Sequence, residues 1–194
     1  MKYARLIIII SSSILFVTCS LFTNPDEKNV NPIESIINSV NVDSLVHYVN
    51  ILSGERPVTI ANHIEQITTR HSDYDGNVLA GNYIYTKLSE YNVTVSNQYN
   101  GTARNIIATQ EGTTHPDQVY IICAHYDCSP DSTIAPGADD NESGTSTVIE
   151  AARIISQYET SYTIVYALWD EEEQGLHGSG YYAALATSTN IDIL

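Results

Sequence analysis

The run Tyr162-Thr-Ile-Val-Tyr-Ala-Leu-Trp169 carries apolar side chains at odd and even positions alike, and the acids Asp170 to Glu173 follow it without a spacer. Successive side chains of a strand face opposite sides, so such a run belongs in the middle of a sheet that is covered on both faces. Val119-Tyr-Ile-Ile-Cys-Ala124 reads as a second strand of the same kind, and Thr145 to Tyr158 between them reads as a helix. Strand, helix, strand implies a right-handed crossover and a parallel pairing. The expected fold is α/β: a mixed, mainly parallel central sheet with helices on both faces.

Ahead of these elements, Val93 to Ser96 and Asn105 to Thr109 read as strands joined through the turn-prone Asn100-Gly101, and Gly112 to Asp117 supplies the next turn. Leu45, Val46, Val49 and Leu52 recur at helical spacing after a cap at Asp43 or Ser44, with Gly54 as the stop. From about Asn77, Leu79, Tyr83, Ile84 and Leu88 define a second helix. Residues 42–194 are thereby expected to form one domain, and residues 21–41, polar and carrying Pro25 and Pro32, read as a linker.

Residues 1–20 read as a signal peptide, with Lys2 and Arg5 before the apolar run Leu6 to Val17. That run is shorter than the ~20 residues a membrane helix needs, so export without a membrane span is expected, to the periplasm, the medium or the cell surface. Cys19 stands where a lipoprotein signal would place its acylated cysteine; ordinary cleavage nearby is the other reading. Eight Lys plus Arg against 23 Asp plus Glu leave a net charge of −15, which repels a phosphate backbone and argues against nucleic-acid binding. Cys123 and Cys128 do not have the spacing of a C-x2-C metal pair, and Cys123, inside an apolar run, reads as a buried free thiol rather than half of a disulfide.

Three segments carry chemistry, each just past a predicted strand end, where open α/β sheets place ligands. In Ala124-His-Tyr-Asp127, an extended chain puts His125 and Asp127 on one face, and a carboxylate so placed can orient an imidazole toward a metal. Ala135 to Gly144 crowds Asp139, Asp140 and Glu142 into a loop that opens a helix, where either the helix N-terminus or a bound cation offsets their repulsion. Trp169 to Leu176 begins its acids as the chain leaves the core, which puts some of these carboxylates at the sheet edge beside the other two segments. One imidazole with several carboxylates is a donor set suited to zinc, manganese or cobalt.

With HYD at 125–127, PGADDNESG at 136–144 and EEQGLHGS at 172–179, the chain from about Val42 onward resembles the two-metal zinc exopeptidases. That family includes secreted bacterial leucyl aminopeptidases, aminopeptidase Y, glutamate carboxypeptidase and, as a divergent branch, glutaminyl cyclase. The resemblance implies two zinc ions, with His125 a ligand of one, Glu173 of the other, and Asp140 bridging. It makes Asp127 the partner of His125, and Glu172 the general base that takes a proton from the attacking water and passes it to the leaving amine. It also implies a cis Asp140-Asn141 peptide and no ligand role for His177. Peptides are the expected substrates, cut at the N-terminal bond; dipeptidase and carboxypeptidase action stay open, as does oligomeric state.

Two other readings stand beside it. A glutaminyl cyclase shares the scaffold but uses one zinc and a loop without an Asp139-Asp140 pair, and a metal-free binding ectodomain would have lost His125, Asp140 or Glu173. The family adds one aspartate and one histidine ligand from further along the chain. Ile191-Asp-Ile-Leu194 reads as the start of the strand that brings the aspartate, with Asp192 too early in it to serve. The chain is therefore expected to be truncated, to bind zinc weakly with little turnover, and to leave apolar sheet surface uncovered.

Overall fold

The computed structural model describes residues 31–60 and 62–194; the segment read as a signal peptide, Cys19 and residues 21–30 of the segment read as a linker lie outside the described residues. Helices α1 (Pro32–Asn38) and α2 (Val42–Leu52) come first, then a small antiparallel pair, β1 (Val58–Ile60) and β2 (His63–Glu65), then α3 (Asp75–Leu88). Next come β3 (Thr94–Asn100), β4 (Ala103–Gln110) and β5 (His115–His125). They are followed by α4 (Ser143–Ile155), β6 (Tyr162–Trp169), α5 (His177–Thr189) and β7 (Asp192–Ile193).

The last five strands form one sheet in the order β3-β4-β6-β5-β7, with β6 at its centre as its two apolar faces require. β5 pairs parallel with β6 and with β7, whereas β4 is antiparallel to both β6 and β3, so β4 runs against the other four. The β5-α4-β6 crossover is the one the sequence implies, and the β3-β4 hairpin turns at Gly101, whose φ of +63° suits glycine.

One face of the sheet is deeply covered. Ile106, Ala108, Tyr166 and Leu168 join Leu52 of α2, Ile84 and Leu88 of α3, and Val148 and Ile149 of α4 in a continuous core. On the other face Ile107, Val119, Val165, Ala167 and Trp169 form a smaller cluster, in which Trp169 packs on Tyr182 of α5 with ring centroids 5.0 Å apart.

Several boundaries differ from the sequence reading. α1 lies in the segment read as a linker: Asn31 caps it by accepting from Ile33 N, and it is tied to the domain by Ser35 Oγ with Tyr158 OH (3.2 Å) and by Arg153 Nη2 donating to Ser39 O (2.8 Å). The cap of α2 is Asn41, accepting from Ser44 N at 3.1 Å, which leaves Asp43 in the first turn. β5 starts at His115, before the turn predicted over 112–117 has ended, with a register irregularity between His115 and Val119.

Cys123 is exposed, which corrects its reading as a buried thiol. Among the described residues the outer edge of β5 has no strand partner beyond Val119, since β7 pairs only with Gln118 and Val119, and α5 lies over β3 and β4 instead. Cys128 is the buried one, and both thiols are free. Asp192 accepts from Gln118 Nε2 at 3.1 Å, at the opposite end of β5 from His125, so it takes no part in the site. No helix among the described residues is long and apolar enough to cross a membrane.

Candidate metal centre

Parallel strands end at the same edge of a sheet. His125 and Trp169 are register partners at the ends of β5 and β6, and Tyr126 N donates to Trp169 O at 2.9 Å, so the two chains leave the sheet side by side. The loops that continue from these two strand ends are therefore forced into contact. Asp127, fully buried, accepts from the backbone N–H of Glu172 at Oδ1 and of Glu173 at Oδ2, both at 3.1 Å. Its Oδ1 also lies 3.4 Å from His125 Nδ1. One carboxylate thus fixes both the ring and the acidic loop.

The other edge of the imidazole faces the two acidic loops. His125 Nε2 is 3.1 Å from Asp140 Oδ1 and 3.9 Å from Glu172 Oε2. His125, Glu172 and Glu173 each offer a donor atom within 4.8 Å of the others. Asp140 reaches the group from the loop at 138–142, where the Asp140-Asn141 peptide is cis as the resemblance implies. Its side chain is 76% exposed. Behind it, Asn141 Oδ1 accepts from Gly144 N at 3.1 Å and Thr145 Oγ1 donates to His125 O at 2.9 Å, tying the start of α4 to the end of β5.

The electrostatics are those of a cation site. Burial opposes protonation of His125, but the Asp127 carboxylate outweighs it and, with Glu172 adding, lifts the imidazole to about 9. Burial raises the Glu173 carboxyl as well, and the negative charge of Asp140 adds to that. A positive ion beside Glu173 would relieve that repulsion. The nitrogen and oxygen donors fit zinc, so this donor set and the expected ion agree.

The remaining acids of both loops turn away. Asp170, buried, accepts from Asn77 Nδ2 (2.8 Å), Arg104 N (2.9 Å) and Glu171 N (3.0 Å). Glu171 accepts from Thr102 Oγ1 (2.6 Å) and contacts His177 Nδ1 (2.9 Å), which gives His177 the structural role expected of it. Asp139 is exposed, and Glu142 is buried against Arg70. The structure therefore brings together all five residues singled out from the sequence: His125, Asp127, Asp140, Glu172 and Glu173. It adds a supporting layer that sequence reasoning missed: Arg70, Asn77, Asn105, whose Oδ1 accepts from Asp170 N at 3.1 Å, and the inward orientation of Glu142 and Asp170. A buried arginine and a pair of asparagines carry no periodic signal, and runs of acids do not reveal which members turn inward.

An imidazole and several carboxylates thus gather at the C-terminal edge of a mixed α/β sheet, a donor set suited to a metal ion. Residues 105–194 match the model of peptidase family M28. It is 39% identical over 95 residues to a probable zinc metalloprotease of Leptosphaeria maculans, covering 45% of this chain and 22% of that protein. It is 41% identical over 85 residues to aminopeptidase YwaD of Bacillus subtilis, covering 43% of this chain and 18% of the relative. The chain thus spans about a fifth of the length of these curated relatives. The LapA aminopeptidase of Legionella pneumophila shares the fold, with a TM-score of 0.66 at 20% identity, over 82% of this chain and 42% of that one.

Proposed function

We propose that this site is the catalytic centre of a zinc-dependent exopeptidase acting as an aminopeptidase on peptides. The observation that carries the reading is the meeting of His125, Glu172 and Glu173, whose donor atoms lie within 4.8 Å of one another at the ends of β5 and β6, with Asp140 Oδ1 3.1 Å from His125 Nε2. Kinship with aminopeptidase YwaD supports the choice of bond. His125 and Glu173 would each hold one of two zinc ions, with Asp140 between them. Zinc bound there supplies Lewis acidity to a peptide carbonyl and acidifies water.

The chain's own residues do the rest. Asp127 holds the Nδ1 side of His125, so that Nε2 faces the donors of the two loops. Glu172, its backbone pinned to Asp127, keeps its carboxylate at the mouth of the site, where it takes a proton from water and returns it to the departing amine. Lys2, Arg5 and the apolar run after them support action outside the cytoplasm, with Cys19 a candidate lipid anchor.

Zinc uptake is the primary readout. Competition against a chromophoric chelator should show uptake that His125→Ala weakens about 100-fold. On an aminoacyl arylamide, Glu172→Gln should retain zinc and lose ~10²–10⁴-fold in turnover. Zinc uptake indifferent to His125→Ala would overturn the proposal.

A further inference from the structure

Arg70 is fully buried, and its planar fork of donors is almost completely used. Nε donates to Tyr126 O at 2.9 Å, Nη1 to Leu52 O at 2.7 Å and Pro136 O at 2.8 Å, and Nη2 to Gly137 O at 3.2 Å. The same guanidinium is in ion-pair contact with Glu142, whose buried carboxylate has no other polar partner among the described residues. Its backbone is engaged too: Arg70 N donates to Cys128 Sγ at 3.1 Å, and Arg70 O accepts from Asn77 Nδ2, which also donates to Asp170 Oδ1.

These contacts reach all three segments of the site. Tyr126 and Cys128 flank Asp127, Pro136 to Glu142 carry Asp140, and Asp170 begins the loop that carries Glu172 and Glu173. The loop lies tight against the guanidinium: Gly137 has φ of +50°, and a Cβ there would come within 2.6 Å of Arg70 Nη2 and 2.7 Å of Asp140 O. A lysine offers a point charge in place of a fork and cannot meet four carbonyls at once.

We propose that Arg70, paired with Glu142, is a positioning residue for the metal centre, setting the distance between the His125 and Asp140 donors from beneath. The inference rests on the metal reading above and assigns that site its internal brace. An arginine serving only to stabilise the core would lower melting temperature without singling out the donors.

The test compares the 194-residue protein with Arg70→Lys and Glu142→Gln, and with Leu88→Ala, a core variant remote from the loops, as control for lost stability. Backbone hydrogen exchange is measured without metal, zinc affinity by chelator competition, and donor geometry by the visible spectrum of bound cobalt. Arg70→Lys should speed exchange at 126–128 and 136–142 at least tenfold. It should also weaken zinc about 10–100-fold and shift the cobalt bands. Glu142→Gln should do the same more mildly, confined to 136–142, and it decides the matter if Arg70→Lys does not fold. Leu88→Ala should leave zinc affinity and spectrum unchanged.

Exchange, zinc affinity and spectrum in the Arg70 and Glu142 variants no different from those of Leu88→Ala would overturn the proposal. Wild-type protein that takes up no zinc, while Arg70→Lys still loosens both segments and Glu142→Gln loosens 136–142, counts against the metal assignment and supports the brace.

Discussion

The loops at 138–142 and 170–173 look alike as sequence, each a crowd of acids after a turn or a strand, yet they are held in opposite ways. In the second, Asp170 and Glu171 turn inward onto neutral or half-exposed partners: an asparagine amide, two backbone N–H groups, a threonine hydroxyl and His177. In the first, Glu142 turns inward onto a fully buried guanidinium. Both leave carboxylates facing the imidazole. A rigid strand end can present donors through a hydrogen-bond lattice, whereas a loop between strand and helix takes a buried charge to fix its path.

The contrast can be broken at its strongest point first. Asp170→Ala leaves Asn77 Nδ2 and the N–H groups of Arg104 and Glu171 without that acceptor, and should cost about 3 kcal/mol or more in urea unfolding. A loss under about 1 kcal/mol would mean the lattice is not what holds this loop. Asp127→Asn comes next. It replaces an acceptor with a donor against Glu172 N or Glu173 N, and should weaken zinc about 10–100-fold while the fold survives, as chelator competition and circular dichroism would report.

A smaller effect arises from the imidazole. In metal-free protein the raised His125 contributes stability that is complete below its ordinary value of 6.5 and is lost as pH rises through about 9. The melting temperature without metal should therefore fall across that window, and His125→Asn should flatten the fall. At the lower limit, Asp139→Asn changes an exposed acid that faces neither Arg70 nor the imidazole, and should shift stability by less than about 0.5 kcal/mol. A larger change would reveal a contact that loop 138–142 makes and loop 170–173 lacks.

The legible parts of the molecule are those in which residue type and spacing report burial directly. Tyr162 to Trp169 could only be a central strand, and it is. The donors were legible because three separate motifs each end a strand or open a helix. Their supports were not. Arg70 lies in Thr68-Thr-Arg-His71, a segment with no period, and arginine is a residue type rarely found fully buried. Glu142 could be seen only as one acid among three, since its partner is 72 positions earlier in the chain. Cys123 misled for a related reason: an apolar run reports a strand, not whether a helix lies over each end of it.

The parallel register of β5 on β6 has a temporal side. His125 stands beside Trp169 across 44 positions, with all of α4 in between, so the donors of the two acidic loops reach the imidazole only after the crossover has closed. Pairings this distant in sequence are slow to form, because the entropy of closing the loop must be lost before any contact offsets it. Zinc added to a refolding chain should therefore find its full donor set late. The rate at which tight uptake appears would time the docking of β6, not the start of collapse.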